Sequence, residues 1–567
     1  MPKIETAGIC TLKIDNKEMK HTVSSVKLSQ HIDDHHQLQI RIQQTVQASA
    51  EGFQDPANYT GFLGKSVAMT ITAREGDASG KDMEFIGLVT DVKLENSIDG
   101  LNTVVIVAKS PTITLDGAPQ VAVYRDQSVS DVIGAIVSNY PVTRGKIEST
   151  GGTMQYSVQY RETDWRYVRR LSEAAGFFAY YDGKEFCLQK ANGSSEVEVK
   201  WRKTLGVFSM GLGTAASKFA SKSWEYGKKT VLEGQTDSSA LRSAPSNLAR
   251  VSIDASQKIF ERPGYQSTVK ATDQASVDAT LNSHVESQVG RMVTCVGESI
   301  VPAVKVGHCI KVAGMDKFDG SYWVTGVTHH FDESGKYHND FVCSPLDVSY
   351  PPKKSSRPPM TNLQSGVVTN LDDPEGLGRI QVKIPALGID TLWVRYAAPH
   401  AGSGHGWMSL PEVDDEVLIG YENGNPDMPV AIASLYSGTD TLPVTPDQKN
   451  EVKIFLTRAG NEIKLTDKDG EEEIKISTKD GKNVIVLSGK DPSVSITTDG
   501  DIKFESTGDF SIKGKNVKIE SDAAIDVKSG ADLNLEGGAN LKATATGNLN
   551  VEASGQCVIK GAIINLN

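Results

Sequence analysis

Residues 533–556 read LNLEGGAN LKATATGN LNVEASGQ when broken every eight residues. Each block opens on Leu, continues with a polar residue, and places Leu535, Ala543 or Val551 third. The register extends in both directions. Val517, Ile525, Leu533, Leu541, Leu549 and Cys557 step by eight, and Ile519, Val527, Leu535, Ala543, Val551 and Ile559 follow two residues behind. Upstream, Val494, Ile502 and Phe510 pair in the same way with Ile496, Phe504 and Ile512, and only the step from Phe510 to Val517 is seven. Before that the steps lengthen through Ile463, Ile474, Val484 and Val494, which predicts longer turns.

In an extended block, residues i and i+2 share a face. Each block therefore offers two inward apolar side chains and then a turn. Eight extended residues span at most roughly 26 Å, whereas a single-chain β-helix spends about 18 residues on one three-faced coil. A lone chain could close a coil in three blocks. Alternatively, three chains wind together, each giving one face of every layer. The second arrangement pairs every strand edge with another chain and removes the exposed-edge liability. The sequence thus predicts a homotrimeric triple-stranded β-helix, a needle of roughly 40–50 Å for the regular blocks. Its predicted core is Val494, Ile502, Phe510, Val517, Ile519, Ile525, Val527, Leu533, Leu535, Leu541, Leu549, Val551 and Ile559.

The rest of the 567-residue chain is organised differently. Over residues 1–350 short apolar–polar alternations such as FIGLVTDVKL (85–94) and YWVTGVTHHF (322–331) predict half-buried antiparallel strands. Two helices are predicted among them. SVSDVIGAIVSNY (128–140) gathers Val132, Ile133, Ile136 and Val137 on one face. RETDWRYVRRLSEAAGFF (161–178) has Thr163 or Asp164 as N-cap and Gly176 at the C-terminal cap. A proline-rich break, SYPPKKSSRPPMTN (349–362), ends this part. Strands near 366–371, 378–384, 391–397, 407–409, 415–421 and 429–436 then suit a small barrel of the OB type, ended by SGTDTLPVTPDQKN (437–450). The predicted organisation is a hub at 1–350, a linker at 351–364, an OB collar at 365–437, a linker at 438–450 and the needle at 451–567.

The formal net charge of −12 argues against nucleic acid as a partner. The six cysteines are scattered without a C-x-x-C pair, so no disulfide framework or zinc ribbon is predicted. The N-terminus lacks the continuous apolar core of a secretory signal, and no run of about 18 apolar residues occurs.

VQYRETDWRYVRRLSEAAGFFAYYDG (158–183) resembles the hub segment of VgrG spike proteins, where a Q-Y-x-E-T-D strand leads into a helix ending at Gly. GVVTNLDDPEGLGRIQVKIP (366–385) resembles the D-P-E-G-x-G-R opening of their OB domain, and GYENGNPDMPVAIASLYSG (420–438) resembles its closing strands. One departure is Val413-Asp414-Asp415-Glu416-Val417, where the family often reads V-G-D-E-V; it puts the local turn in doubt.

The resemblance implies a mainly β chain with two tube-like barrels in the hub, an OB collar and a trimeric needle. It further implies a puncturing spike at the tip of the inner tube of a contractile injection system: a type VI secretion system, an extracellular phage-tail-like particle or a phage tail. Sheath contraction would drive it through the target envelope. Implied partners are an Hcp-like inner tube protein, baseplate proteins, a PAAR-repeat tip protein and effector cargo. Assembly would take place in the bacterial cytoplasm, with export or injection that needs no signal peptide.

No catalytic constellation is predicted, and no cofactor. HIDDHH (31–36) is read as an exposed loop rather than a metal cluster, and VTHHFDESGKYH (327–338) as a hairpin. DKDGEEE (467–473) reads as a tight turn, not a Ca²⁺ loop. Residues 438–450 leave no room for an inserted enzyme domain. All eleven histidines lie at or before His405, so the needle cannot end in a histidine-ligated metal. A blunt end is expected instead, with Ile563, Ile564, Asn565, Leu566 and Asn567 docking the tip protein. The competing reading is a trimeric phage tailspike or adhesin that binds surface glycans. Against it, the only aromatics from 451 onward are Phe455, Phe504 and Phe510, too few for a sugar-binding shaft.

Overall fold

The computed structural model describes residues 4–19, 23–45, 57–74, 78, 82–96, 101–194, 196–241, 245–266, 273–354 and 359–566. The chain divides into two compact units, Met1–Asp440 and Thr441–Asn567.

The alternation read over 1–350 produces two barrels that share one hairpin. Gly320–Asp332 and Lys336–Pro345 pair with each other along their length. On one side they are joined through Val23–His31, Gln37–Thr45, Leu101–Lys109, Met83–Asn96, Ser66–Ala73 and Thr6–Ile14, which closes an antiparallel barrel. Strand Ser66–Ala73 shows why: Val67, Met69, Ile71 and Ala73 are buried and their neighbours face outward. Val67, Met69 and Ile71 pack with Leu28, Leu38, Ile40, Phe85 and Ile106. On the other side the hairpin is flanked by Cys309–Ala313 with Glu196–Lys200 and by Val293–Ser299 with Leu205–Leu212. A bridge between Trp201 and Leu205 joins those two edges. Trp323, Val324, Phe341 and Cys343 of the hairpin fill this second core. A register shift between Val324 and Gly326 bends the strand where it passes from one barrel to the other.

Two insertions decorate the barrels. The first joins the hairpin Gln120–Gln127 and Met154–Glu162 to helices Val129–Ser138 and Asp164–Ala175 and to a small sheet, around Ile133, Trp165, Val168, Leu171 and Phe186. Thr163 caps the second helix and Gly176 ends it with φ +76°, as the sequence predicts. The second insertion departs from expectation. Helices Asn247–Ile259 and Gln274–Val289 pack on a three-stranded sheet. Their buried stripes were too sparse to read: Ala249, Ser252, Ile253 and Ser256 in one, and a single column of Val277, Leu281, Val285 and Val289 in the other.

The expectation of an exposed HIDDHH loop fails at its end. His36 is fully buried, and the His35 ring lies 4.6 Å from that of Trp165, tilted by 36°. His36 belongs to a polar string through the barrel interior that also holds the buried His329. The donors run one way: Asn339 Nδ2–H to Tyr337 Oη (2.8 Å), Tyr337 O–H to His329 Nδ1 (2.7 Å), His329 Nε2–H to Gln30 Oε1 (3.4 Å), and Gln30 Nε2–H to His36 Nδ1 (3.1 Å). Each imidazole must be neutral to accept at Nδ1.

The collar closes as Gln364–Asn370, Glu416–Tyr421, Pro429–Leu435, Val394–Tyr396 and Arg379–Ile384 pair in a ring. Its core of Val368, Ile380, Val382, Val417 and Ile419 continues into Tyr156, Val158 and Tyr160 of the hub. No strand forms at 407–409; a short hairpin, Ala401–Gly402 with His405–Gly406, precedes it, and Met408 is exposed. The segment between hub and collar is packed where it is described. Lys353 N–H donates to Ser287 Oγ at 2.8 Å, and Met360 is buried with its N–H on Gly424 O at 2.8 Å.

The second unit opens with an antiparallel meander of Val452–Leu456, Glu462–Thr466, Glu473–Ser477, Asn483–Ser488 and Ser493–Thr498. DKDGEEE forms the turn between its second and third strands, with Gly470 at φ +71°. Among the described residues no helix is long and apolar enough to cross a membrane.

Two predictions follow from these local structures. Burial pushes His36 and His329 from an ordinary value of 6.5 down to about 3. Between those values the unfolded chain binds more protons than the folded one, so stability falls as pH drops through that window. Thermal melting should therefore be lower at pH 5 than at pH 7, with a shallower slope in His36→Gln; a flat profile would contradict the buried neutral string. Asp414, at the position where the resemblance leads Gly to be expected, has φ +74°. Its turn is intact, with its N–H on Val368 O at 2.9 Å. Asp414→Ala should cost about 1 kcal/mol in that left-handed conformation, and Asp414→Gly should be neutral or stabilising; equal loss in both variants by chemical denaturation would refute the backbone account.

Candidate assembly site

The motifs that carry the family resemblance fix neighbouring elements against one another. In Gln159–Asp164, Gln159 Nε2–H donates to Glu162 O (3.0 Å) and Asp164 Oδ1 (2.7 Å). Tyr140 O–H donates to Asp164 Oδ2 at 2.6 Å. Arg170 meets the buried Glu162 carboxylate through two N–H bonds of 2.9 Å each. The segment thus fixes the start of helix Asp164–Ala175 against the strand before it.

In the collar, Asp373 accepts from the backbone N–H groups of Glu375, Leu377 and Arg379 and from the Arg379 guanidinium at 2.6 Å. Gly376 and Gly378, at φ +64° and +69°, let the loop wrap around that carboxylate. The Arg379 bond holds the Asp373 carboxyl well below its usual range. Asp427 Oδ1 accepts from Val158 N–H at 2.7 Å and ties the collar to the hub. Asp373→Asn should lower stability by about 1–3 kcal/mol, because the mostly buried Arg379 guanidinium keeps only the exposed Glu375, at 3.2 Å, as counter-ion; an unchanged denaturation midpoint would show the loop to be held by its glycines alone.

The second unit has the opposite character: its apolar side chains are outside. In the meander, register places Phe455 opposite Ile463, Ile463 opposite Ile476, Ile476 opposite Ile485 and Ile485 opposite Ile496. Directly opposed residues share a face, and every member of this row is exposed. A second row runs Leu465, Ile474, Leu487, Val494, also exposed. This corrects the upstream register of the sequence analysis. Val484 pairs with Thr497 and takes the other face, while Ile485 and Leu487 continue the apolar one. Counting Ile463–Ile474–Val484–Val494 assumed same-direction steps; the strands reverse direction, and opposition rather than spacing sets the face. The continuous VIVL run hid the choice.

From 501 to 566 no strand forms within the chain, and every described residue is exposed. Yet the backbone bends at 507–508, 515–516, 522–523, 530–531, 538–539, 546–547, 554–555 and 562–563. The bends repeat every eight residues except for one seven-residue step, around the Phe510–Val517 step. Hydrogen bonds here are local turn bonds, such as Gly508 N–H to Ser506 Oγ (3.2 Å) and Ala523 N–H to Ser521 Oγ (3.3 Å). The single-chain coil, which would pair blocks 24 residues apart, is not formed among the described residues.

The predicted core residues stand in open solvent: Ile502 is 50% exposed, Phe510 65%, Leu541 71% and Val551 73%. Val494, Val517, Ile519, Ile525, Val527, Leu533, Leu535, Leu549 and Ile559 are exposed likewise. Of the predicted docking residues, Ile563, Ile564 and Leu566 are exposed hydrophobics and Asn565 is exposed; Asn567 lies outside the described residues. A contiguous apolar surface of this length on a water-exposed chain marks an interface.

Family models agree with this architecture. The phage tail baseplate hub (GPD) model matches residues 35–335. The chain belongs to that family. A second model, the type VI secretion system/phage-baseplate injector OB domain, matches residues 364–436. Among relatives, the type VI secretion system spike protein VgrG1b of Pseudomonas aeruginosa is 21% identical over 68% of this chain and 55% of its own length. VgrG1a of the same organism is 22% identical over 57% of this chain and 54% of its own. This hub protein thus spans about half the length of these curated relatives. A solved Francisella PdpA–VgrG complex shares the fold at a TM-score of 0.58, with 6% identity, over 88% of this chain and 89% of the matched one. The protein is a baseplate hub protein with an injector OB domain, similar in sequence to VgrG spike proteins.

Proposed function

We propose that three copies of this chain assemble into the puncturing spike of a contractile injection system. One observation carries the reading: an apolar ladder with an eight-residue period that is bent in register and that none of the described residues covers. Two further copies supply that cover. Each layer then gathers two apolar side chains per chain around a common axis, and the unpaired strand edges of each chain find partners on the other two. A rod wound in this way resists bending, because no chain leaves it without breaking its pairing with both others. The meander rows headed by Phe455 and Leu465 belong to the same buried seam.

Under this reading the protein does mechanical rather than chemical work, and the force comes from sheath contraction. The hub barrels would seat an Hcp-like inner tube and meet baseplate proteins. Ile563–Asn567 would dock a PAAR-repeat tip protein, and effectors would travel with the spike into the target envelope. The chain would assemble in the cytoplasm and leave it by injection. A relative's description as an actin cross-linking toxin shows that some relatives carry further activities.

The solution mass tests the assembly. Light scattering on the full-length protein should give three times 61.0 kDa. Leu541→Lys would place three ammonium groups together on the axis and should lower the mass toward that of one chain. The hub would keep its far-ultraviolet β signature. A wild-type mass of 61.0 kDa, or an unchanged trimer in the lysine variant, would sink the needle assignment.

A further inference from the structure

The hairpin shared by the two barrels carries a second set of groups on its outer face. His330 and His338 occupy directly opposed positions, so their side chains leave the sheet together. Their rings stack with centroids 4.7 Å apart and planes 9° from parallel. Asp340 follows His338 by two residues, and therefore shares its face. Asp340 Oδ2 lies 3.3 Å from His330 Nε2. One ligand atom from each of the three residues falls within 4.8 Å of the others.

The backbone beneath is fixed rather than mobile. The alternate residues of both strands, His329, Tyr337 and Asn339, are buried in the polar string already described. The three outward groups are therefore held on a rigid support, a requirement for a preorganised site. They also remain reachable: the His330 side chain is 33% exposed and that of Asp340 52%. Nearby charge does not forbid a cation. Lys336 is engaged by Glu5 at 3.0 Å, and Lys27, opposite His330 on the next strand, is exposed and screened by water.

We propose that His330, His338 and Asp340 bind a divalent first-row transition ion, with Zn²⁺ as the leading candidate. Two imidazoles and a carboxylate match the donor preference of zinc, cobalt and nickel, whereas magnesium and calcium favour oxygen alone. Metal–ligand bonds of about 2.0–2.2 Å place tetrahedral ligand atoms roughly 3.4 Å apart. His330 Nε2 and Asp340 Oδ2 already stand at that separation, and a ring rotation of His338 closes the rest. Water completes the coordination. The ion would clamp the two strands on which both barrels depend.

The test uses untagged full-length protein stripped with a chelator and titrated with Zn²⁺ against a chromophoric competitor. One ion per chain is expected, with at least tenfold weaker binding in His338→Ala and in His330→Ala. Zn²⁺ should raise the melting temperature of the wild type and not of the variants, and Mg²⁺ should raise neither. Co²⁺ should give a visible absorption band that both variants lose. If the alanine variants fold poorly, Asp340→Asn, at an exposed position, must still weaken binding. No saturable Zn²⁺ binding by the wild type would overturn the proposal. So would affinity unchanged in a His330→Ala/His338→Ala double variant, which would move the ion to other groups such as His400 and His405, whose rings lie 5.3 Å apart.

Discussion

The pairing of Gly320–Asp332 with Lys336–Pro345 is the constraint on which the hub depends. It closes two barrels at once, because each strand is long enough to serve both and is bent by the register shift at Val324/Gly326. The same two strands send Trp323, Val324, Phe341 and Cys343 into one core and Tyr337 into the other. A slip of one residue would exchange the inward and outward faces of both strands. Burial of His329, Tyr337 and Asn339 makes such a slip costly, since each would lose its hydrogen bonds. Register, core and polar string therefore specify one another.

Legibility followed the strength of the local signal. Helix Asp164–Ala175 was readable because Thr163, Asp164 and Gly176 mark its ends and Trp165, Val168 and Leu171 mark its face. Helix Gln274–Val289 was not, because its apolar residues form one narrow column among polar neighbours. The octads were readable down to the seven-residue step, since turn chemistry and apolar spacing agree there. The meander before them was half readable. Its period and turns were visible, but strand direction decides which of Val484 and Ile485 faces the seam, and direction is a property of pairing rather than of spacing. His36 was misplaced for a related reason. Burial of His36 depends on the adjacent Gln30 being held in turn by His329, which lies 299 residues from Gln30 and outside any window around HIDDHH.

Hub and needle illustrate two ways of satisfying the same physics. In the first hub barrel every strand meets another strand of its own chain on both edges, so alternating sequence closes into a barrel with an interior of Leu, Ile and Phe. In residues 501–566 the alternation is as regular, but no block pairs with its neighbour. The turns keep the blocks in step without joining them. Such a segment is half of a specification: it fixes period and facing, and leaves pairing to be met from outside.

This division also accounts for where the chain keeps its charge. The outward positions of the octads carry Lys, Asp, Glu, Thr and Asn, which hold the shaft in water, and Lys518–Glu520 and Lys503–Glu505 pairs sit on that side. Exposed pairs of this kind add little stability. Their use is to make the outer face an unfavourable place for another apolar ladder. With the solvent face charged and the inner face apolar, a partner chain has one way to approach. In the proposed trimer this pattern favours assembly around an axis over the open-ended stacking that an apolar strand edge would otherwise invite.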